Sequence, residues 1–494
     1  MLNRKLSVIL LASFAAVSSF ADTVYWKGNN RDAGMGFYLE YGWDKMPSAS
    51  DDVVIDEAYI KTEGNGYLDD GFWGSDTTWN SLTLNYDTVS KKLNSSAGRP
   101  ISITILNDVV KTGAGTAQFA MGASNTVFNL NVGGNVIVGV DKDTSGGTLN
   151  FGTSNSNTTK NWGGPLDTLT VGKDIIIYNL SSVSMNVYNR SGTSSYYDPD
   201  IYIGGTIQGI GSGSPNYQNP TINFFSINPY ELTSNTSSII SVEGITGVSV
   251  ARGSYYEFEY SKISLTSVLY LRSEKGDTCN FDGWVFDSGK GFNSNIKLKI
   301  VKDGIGTQIF SATQLKFSGG VELLGGTLIF YGIEDGRDTS HGDLTMRGGK
   351  LSYMVRTDDQ NGKSYMTFEN LVYSDGTISL QVAPDSVDKV LLTGTLVAAD
   401  ASNKGVVKIE LVGGDLSYFE SDYRLLIGMG TASSDYDDGD FMITNLDESK
   451  YSANFDLRDD GLYLKLDVIP EPAAVCSILG VVALALAAHG RRRK

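Results

Sequence analysis

Apolar residues in this chain recur at every second position rather than at helical spacing. Ile101, Ile103 and Ile105 alternate with Ser102 and Thr104; Ile296, Leu298 and Ile300 alternate with Lys297 and Lys299. Val407, Ile409 and Leu411 alternate with Lys408 and Glu410, and Leu462, Leu464 and Leu466 with Tyr463, Lys465 and Asp467. A period of two puts one set of side chains on each face of a strand. Each stretch is about five residues long, the usual strand length. Clusters of Gly, Asn, Asp and Ser, which favour turns, separate the stretches. No long amphipathic helical pattern lies between Asp22 and Asp467, so the body is expected to be all-β.

A short theme returns along the chain: a strand, a glycine-centred corner and a second strand. It reads Leu130–Val138, Leu169–Ile177 and Ile201–Ile207, with looser versions at Val321–Leu328 and Leu344–Leu351. The spacing is uneven, 39 residues from Gly133 to Gly172 and 32 from Gly172 to Gly204. Stacked rungs joined by loops of variable length fit this pattern, with terminal rungs that need capping. About 445 residues at roughly 20 per coil would give about 22 coils and a rod near 100 Å. The Trp-rich region Tyr25–Trp79 is the expected cap. Tandem β-sandwiches, which also use short alternating strands, are the rival architecture.

The two ends break the pattern. Arg4 and Lys5 precede an apolar run from Leu6 to Val17, and Ser19-Phe20-Ala21 has small residues at −3 and −1 of a cut after Ala21. This is the pattern of a secretory signal peptide, which implies Sec-type export machinery and a signal peptidase as partners. At the other end Pro470-Glu471-Pro472 leads into Ala473–Ala488, sixteen residues without charge, and Arg491, Arg492, Arg493 and Lys494 close the chain. As a helix that run would be about 24 Å long, short for a hydrocarbon core of about 30 Å. The basic cluster would lie on the cytoplasmic side of the inner membrane. A plain membrane anchor is the alternative reading.

This three-part tail resembles the PEP-CTERM sorting signal of bacterial surface proteins. The resemblance implies cleavage near Pro470-Glu471-Pro472 by an exosortase-type transpeptidase and delivery to the envelope or extracellular matrix. A second likeness lies in the body. Val301-Lys302-Asp303-Gly304-Ile305-Gly306-Thr307, then Phe317-Ser318-Gly319-Gly320 and Gly326-Thr327-Leu328, is similar to the autotransporter-associated β-strand repeat. Val110-Lys111-Thr112-Gly113-Ala114-Gly115-Thr116 matches the opening of a second copy, and Gly42 to Ile55 is similar to the segment that often precedes such repeats. That resemblance implies a right-handed parallel β-helix. The expected organisation is thus a signal peptide at 1–21, an N-terminal β cap at 22–100, a β-helix at 101–335, C-terminal β rungs at 336–467, and a sorting tail with a short transmembrane helix at 468–494.

Composition narrows the function. Glycine is 57 of 494 residues, about 12% against a usual ~7%. The net charge is −17, and without both ends 33 basic and 55 acidic side chains would remain, a net of −22. Such a surface disfavours nucleic acid, which needs clustered Lys and Arg. Two cysteines and two histidines leave little for thiolate, metal or imidazole chemistry, and no cofactor is implied.

Four features are candidates for chemistry. Asp435-Tyr436-Asp437-Asp438-Gly439-Asp440 is the densest carboxylate run, but Leu446 stands where an EF-hand needs Glu, so a solvated acidic loop is expected. His341 sits in the polar run Gly336–Gly342 beside Ser340 and is expected to be an exposed loop residue. Gly362-Lys363-Ser364 lacks the earlier glycine of a phosphate loop, since Thr357 stands there. Cys279, without a partner outside the tail, is expected to be a buried thiol. The 26 tyrosines leave contact with extracellular polysaccharide open. The expected function is that of an exported, non-enzymatic structural or adhesive surface protein. The alternatives are a polysaccharide-degrading β-helix enzyme and a calcium-stabilised adhesin.

Overall fold

The computed structural model describes residues 22–470 apart from 27–44, 46, 58–75, 88–89, 96–100, 122–127, 142–144, 153–165, 167, 188–198, 212–219, 225–235, 248–249, 253–264, 288–294, 312–313, 332–340, 355–364, 415 and 432–433. It also describes 481–486 and 489. Nearly every described element is a short strand, and nearly every pairing is parallel between strands one coil apart. The described residues wind as a solenoid with three ladders, so the expected all-β coil is present, and among them no tandem sandwich is formed.

The second ladder is the longest. It starts at Thr23–Trp26 and Asp52–Asp56, passes through Val109–Thr112, Val136–Val138, Ile175–Tyr178 and Thr206–Ile210, and ends at Phe441–Ile443. The first ladder runs from Thr77–Trp79 to Leu396–Ala398. The third begins as eight strands, from Ser90–Ser95 to Gln314–Lys316, and resumes at Tyr365–Phe368. The second ladder has fifteen strands among the described residues, a length of about 65–70 Å at ~4.8 Å per step. The sequence expectation of ~22 coils and ~100 Å was too long. It assumed one coil length, whereas a coil here takes from 20 residues (Thr307 to Thr327) to 39 (Val136 to Ile175).

Period-two patterning explains the core. Ile103 and Ile105, Leu298 and Ile300, Ile409 and Leu411, and Leu464 and Leu466 are buried, while their polar neighbours Thr104, Lys297, Lys408 and Lys465 face outward. Parallel register stacks like on like along the axis. Phe119 lies on Phe151 at 5.6 Å between ring centroids, and Phe310 lies on Phe330 at 5.6 Å. Each buried aliphatic or aromatic side chain contributes about 1.5–3 kcal/mol of transfer free energy. The described strands of 22–100 share this core, with Val24, Val53, Ile55 and Trp79 buried in it.

The repeated corner theme has a physical basis. Gly133, Gly172 and Gly204 stack directly over one another, each amide donating to a carbonyl one coil away. A Cβ on Gly172 would lie 2.3 Å from the Gly133 carbonyl oxygen. Two residues further on, a polar ladder runs along the axis. Asp108 Oδ1 accepts from Asn135 N at 2.6 Å, Asn135 Oδ1 from Asp174 N at 3.2 Å, and Asp174 Oδ1 from Thr206 N at 2.7 Å. Asp343, Asn370 and Thr395 repeat this device at another corner.

The expected signal-cleavage residue Ala21 lies outside the described residues, as do Glu471, Pro472, Arg491, Arg492, Arg493 and Lys494 of the expected sorting tail. Pro470 is exposed just past the last strand, Gly461–Val468. The expected transmembrane helix is not supported. α-Helix is described only at 481–486 and at 489, and no helix of described residues is long and apolar enough to cross a membrane. The run Ala473–Ala488 has sixteen residues, against about 20 for a span.

Candidate functional site

Each feature singled out in the sequence has a definite place. The acidic loop closes the C-terminal end. Asp435 Oδ2 accepts from Ala398 N at 2.9 Å, on the last strand of the first ladder, and Asp438 Oδ1 accepts from Leu457 N at 2.7 Å. Asn445 does the same for Leu411, through both the amide and the carbonyl of that residue. Side chains thus take up backbone groups that a further coil would have paired, which protects the sheet edges. The antiparallel strands Tyr451–Arg458 and Gly461–Val468 complete the cap over the third ladder.

Where a calcium ion would need open oxygens, the loop holds a tethered cation. Lys404 Nζ lies 2.6 Å from Asp440 Oδ2 and 3.5 Å from Asp437 Oδ2, and donates to the Asp435 carbonyl at 3.0 Å. The ammonium holds the Asp440 carboxyl below its ordinary value. Among the described residues no group of three or more His, Cys, Asp or Glu side chains is arranged to hold a metal.

His341 corrects the sequence expectation. It is buried rather than exposed, with its ring 4.8 Å from Phe317 and 5.9 Å from Phe368. It bridges the two parts of the third ladder, its amide donating to the Thr367 carbonyl. Burial drives its pKa down to about 4, so it is a neutral core ring. No alternation announced this, because the run Gly336–Gly342 has no apolar residues at period two. Ser340 and Gly362-Lys363-Ser364 lie outside the described residues.

The two Lys-x-Gly-x-Gly-Thr segments serve different corners. Lys111 ends a second-ladder strand and Thr116 opens the third ladder; Lys302 ends a first-ladder strand and Thr307 opens the second. Both lysines are fully buried. Lys111 Nζ donates to the carbonyls of Thr112, Gly113 at 2.8 Å and Gly146 at 3.1 Å, and Lys302 Nζ donates to that of Asp303. Burial lowers each to a pKa of about 8. Gly113 and Gly304 hold φ +77° and +73°, a left-handed conformation that favours glycine. These lysines fasten their corners by donating to backbone carbonyls.

A polar cleft of about 420 Å³ lies on the outer side of the second ladder. It spans four successive coils, from Asp174 through Thr206 and Gln208, and through Glu243 and Thr246, to Ser273, Lys275, Asp277, Thr278 and Cys279. Four irregularities meet there. First, Gly244–Gly247 pairs with Thr278–Phe281 only at Gly247 and Phe281. Second, the Gln308 carboxamide fills the gap from the next coil: Oε1 accepts from Ile245 N and Nε2 donates to Ile245 O, both at 3.0 Å. Third, Ser273 adopts φ +45°, and its carbonyl accepts from Ile305 N and Gly306 N. Fourth, a buried ion pair underlies the cleft wall. Arg272 Nη2 lies 3.2 Å from Glu243 Oε1, and Arg272 also donates to Ser241 Oγ at 2.7 Å and the Ile203 carbonyl at 2.6 Å. The guanidinium lies 4.4 Å from the Tyr202 ring centroid.

The carboxylates of this cleft are largely engaged by the fold. Of its three carboxylates, Asp174 accepts from Thr206, and Glu243 is held by Arg272 and by the Glu274 amide at 2.9 Å. Glycosidic catalysis needs two carboxyl groups facing a common bond, and two of these three are tied to the fold. The Cys279 thiol is buried and raised by desolvation, so it is a poor nucleophile. Sequence reasoning missed Arg272, Glu243 and Gln308. The available signal was polar side chains at positions where alternation demands apolar ones. No family model matches this chain, and no curated protein matches it either.

Proposed function

We propose that this chain is an exported, non-enzymatic bacterial surface or extracellular-matrix protein, a right-handed β-helical stalk delivered through a PEP-CTERM-type tail. The observation that carries the reading is the order of features at the C-terminus. The solenoid is closed by its antiparallel cap, the last strand ends at Val468, and Pro470-Glu471-Pro472, an uncharged run and Arg491–Lys494 follow at once. A sorting protease needs its motif outside the fold, and Pro470 is exposed. Engagement of carboxylates in corners and caps favours a mechanical body over an enzyme, and Lys404 in the acidic loop weighs against calcium dependence.

The test is fractionation of full-length and tail-truncated protein, with intact-mass measurement of the mature C-terminus. The expected product ends near Pro470-Glu471-Pro472 and lies outside the inner membrane. A mature product that retains Arg491–Lys494 refutes the sorting reading. A melting temperature unchanged between calcium and chelator is expected; a large shift would favour the calcium-stabilised alternative.

A further inference from the structure

We propose that the cleft over the second ladder is a binding site for a neutral, linear oligosaccharide. The inference does not depend on how the chain is exported, so its test and that of the sorting reading fail separately.

The first argument is the concentration of unfavourable features. Three departures gather here: hydrogen bonds between coils are given up, a serine holds a left-handed conformation and an ion pair is buried. Each of these destabilises a fold that needs none of them, and departures from local rules gather where a surface is shaped for another purpose. A buried pair such as Arg272–Glu243 adds little net stability. It does fix the Glu243 carboxylate at the cleft wall.

The second argument is the lining. None of the lining side chains is aromatic or aliphatic, so no wall exists for a lipid chain, and any ligand is held through hydrogen bonds rather than ring stacking. Hydroxyls come from Thr206, Thr246, Ser273 and Thr278, and a carboxamide from Gln208. The lining carries Asp174, Glu243 and Asp277 against Lys275; Arg272 pairs with Glu243, and the one carboxylate left in excess disfavours an anion. Hydroxyls and a carboxamide, which both donate and accept, match a ligand made of hydroxyl groups. The volume falls within the range of about 300–1,000 Å³ usual for ligand clefts. Four coils span about 14 Å along the axis at ~4.8 Å per step, which suits a short chain better than a single small molecule.

The experiment is titration calorimetry of the purified full chain with cellotetraose, xylotetraose and tetra-N-acetylchitotetraose, with tetragalacturonate as the anionic control. Saturable binding of at least one neutral tetramer is expected, and none of tetragalacturonate. The double variant Gln208→Ala, Thr246→Val alters two outward side chains of the second ladder and should weaken binding tenfold or more. Lys408→Ala, many coils away, should leave it unchanged. A melting curve for each variant confirms that the fold is kept. The proposal is overturned if no neutral tetramer binds at millimolar concentration. It is equally overturned if the folded double variant binds as the parent does, or if tetragalacturonate binds as tightly as the neutral chains.

Discussion

The coils from Val109 to Gln208 and those from Gly244 to Phe310 use the same three ladders and differ in what holds neighbouring coils together. In the first region Val109, Val136, Ile175 and Ile207 stand in one register, and Asp108, Asn135, Asp174 and Thr206 run beside them as a polar ladder. In the second, backbone pairing lapses between two coils, and long-range side chains take over: Gln308 reaches Ile245, and Arg272 reaches Ile203. Local repetition is enough to build a rod. Opening a cleft in its side requires side chains that span more than one coil.

The largest effect is expected at Arg272. Arg272→Ala leaves the Glu243 carboxylate buried without its partner and should lower unfolding stability by about 3–5 kcal/mol in urea denaturation. A loss below about 1 kcal/mol, the range of a surface pair, would mean that the second region is not held by this contact. Next comes pH. His341 titrates at about 4 in the fold and at about 6.5 when unfolded, so the unfolded chain binds the proton first as pH falls. Stability contributed by the neutral ring is complete above about pH 6.5 and lost between about 6.5 and 4, by up to about 3 kcal/mol. Asp287 acts in the opposite sense. Its folded pKa, raised to about 7 by burial, makes its contribution full below the ordinary carboxylate range and lost as pH rises through about 7. His341→Phe should therefore flatten the acid limb of a stability–pH curve without changing its alkaline limb.

Gln308→Leu should cost about 2–3 kcal/mol, because the Ile245 amide and carbonyl lose their partner in a buried setting. Its counterpart in the regular region, Asn135→Ala, removes bonds to Asp108 and Asp174 but leaves the backbone ladder whole, and about 1–2 kcal/mol is expected. If the two variants cost the same, the contrast between the regions fails. The smallest effect is expected on the outer face, where Lys350 lies 2.8 Å from Glu410 and is 40% exposed. Lys350→Ala should change stability by less than about 0.5 kcal/mol, with the difference vanishing at high salt.

Much of the fold was legible in the order of residues. Alternation at Ile296–Ile300 and at Val407–Leu411 named the inward faces correctly, and the Gly133, Gly172 and Gly204 theme named one corner of the coil. The site was not legible. Gln308 and Ile245 are 63 residues apart, and Arg272 and Ile203 are 69 apart; no local pattern links such positions. His341 failed for a related reason, since one residue entering a stack between Phe317 and Phe368 leaves no period to read.

What the amino acids alone determined is the period: two residues along a strand, and glycine where a corner brings backbone against backbone. Those choices depend on nearest neighbours and hold wherever the segment lies. The tertiary structure decided which corner each segment occupies. Val110–Thr116 and Val301–Thr307 have the same pattern, a buried lysine and a left-handed glycine, yet one turns from the second ladder into the third and the other from the first into the second. The lengths of the intervening loops set how far the chain has travelled around the coil when each segment arrives, and that phase is a sum over many residues that no single motif contains.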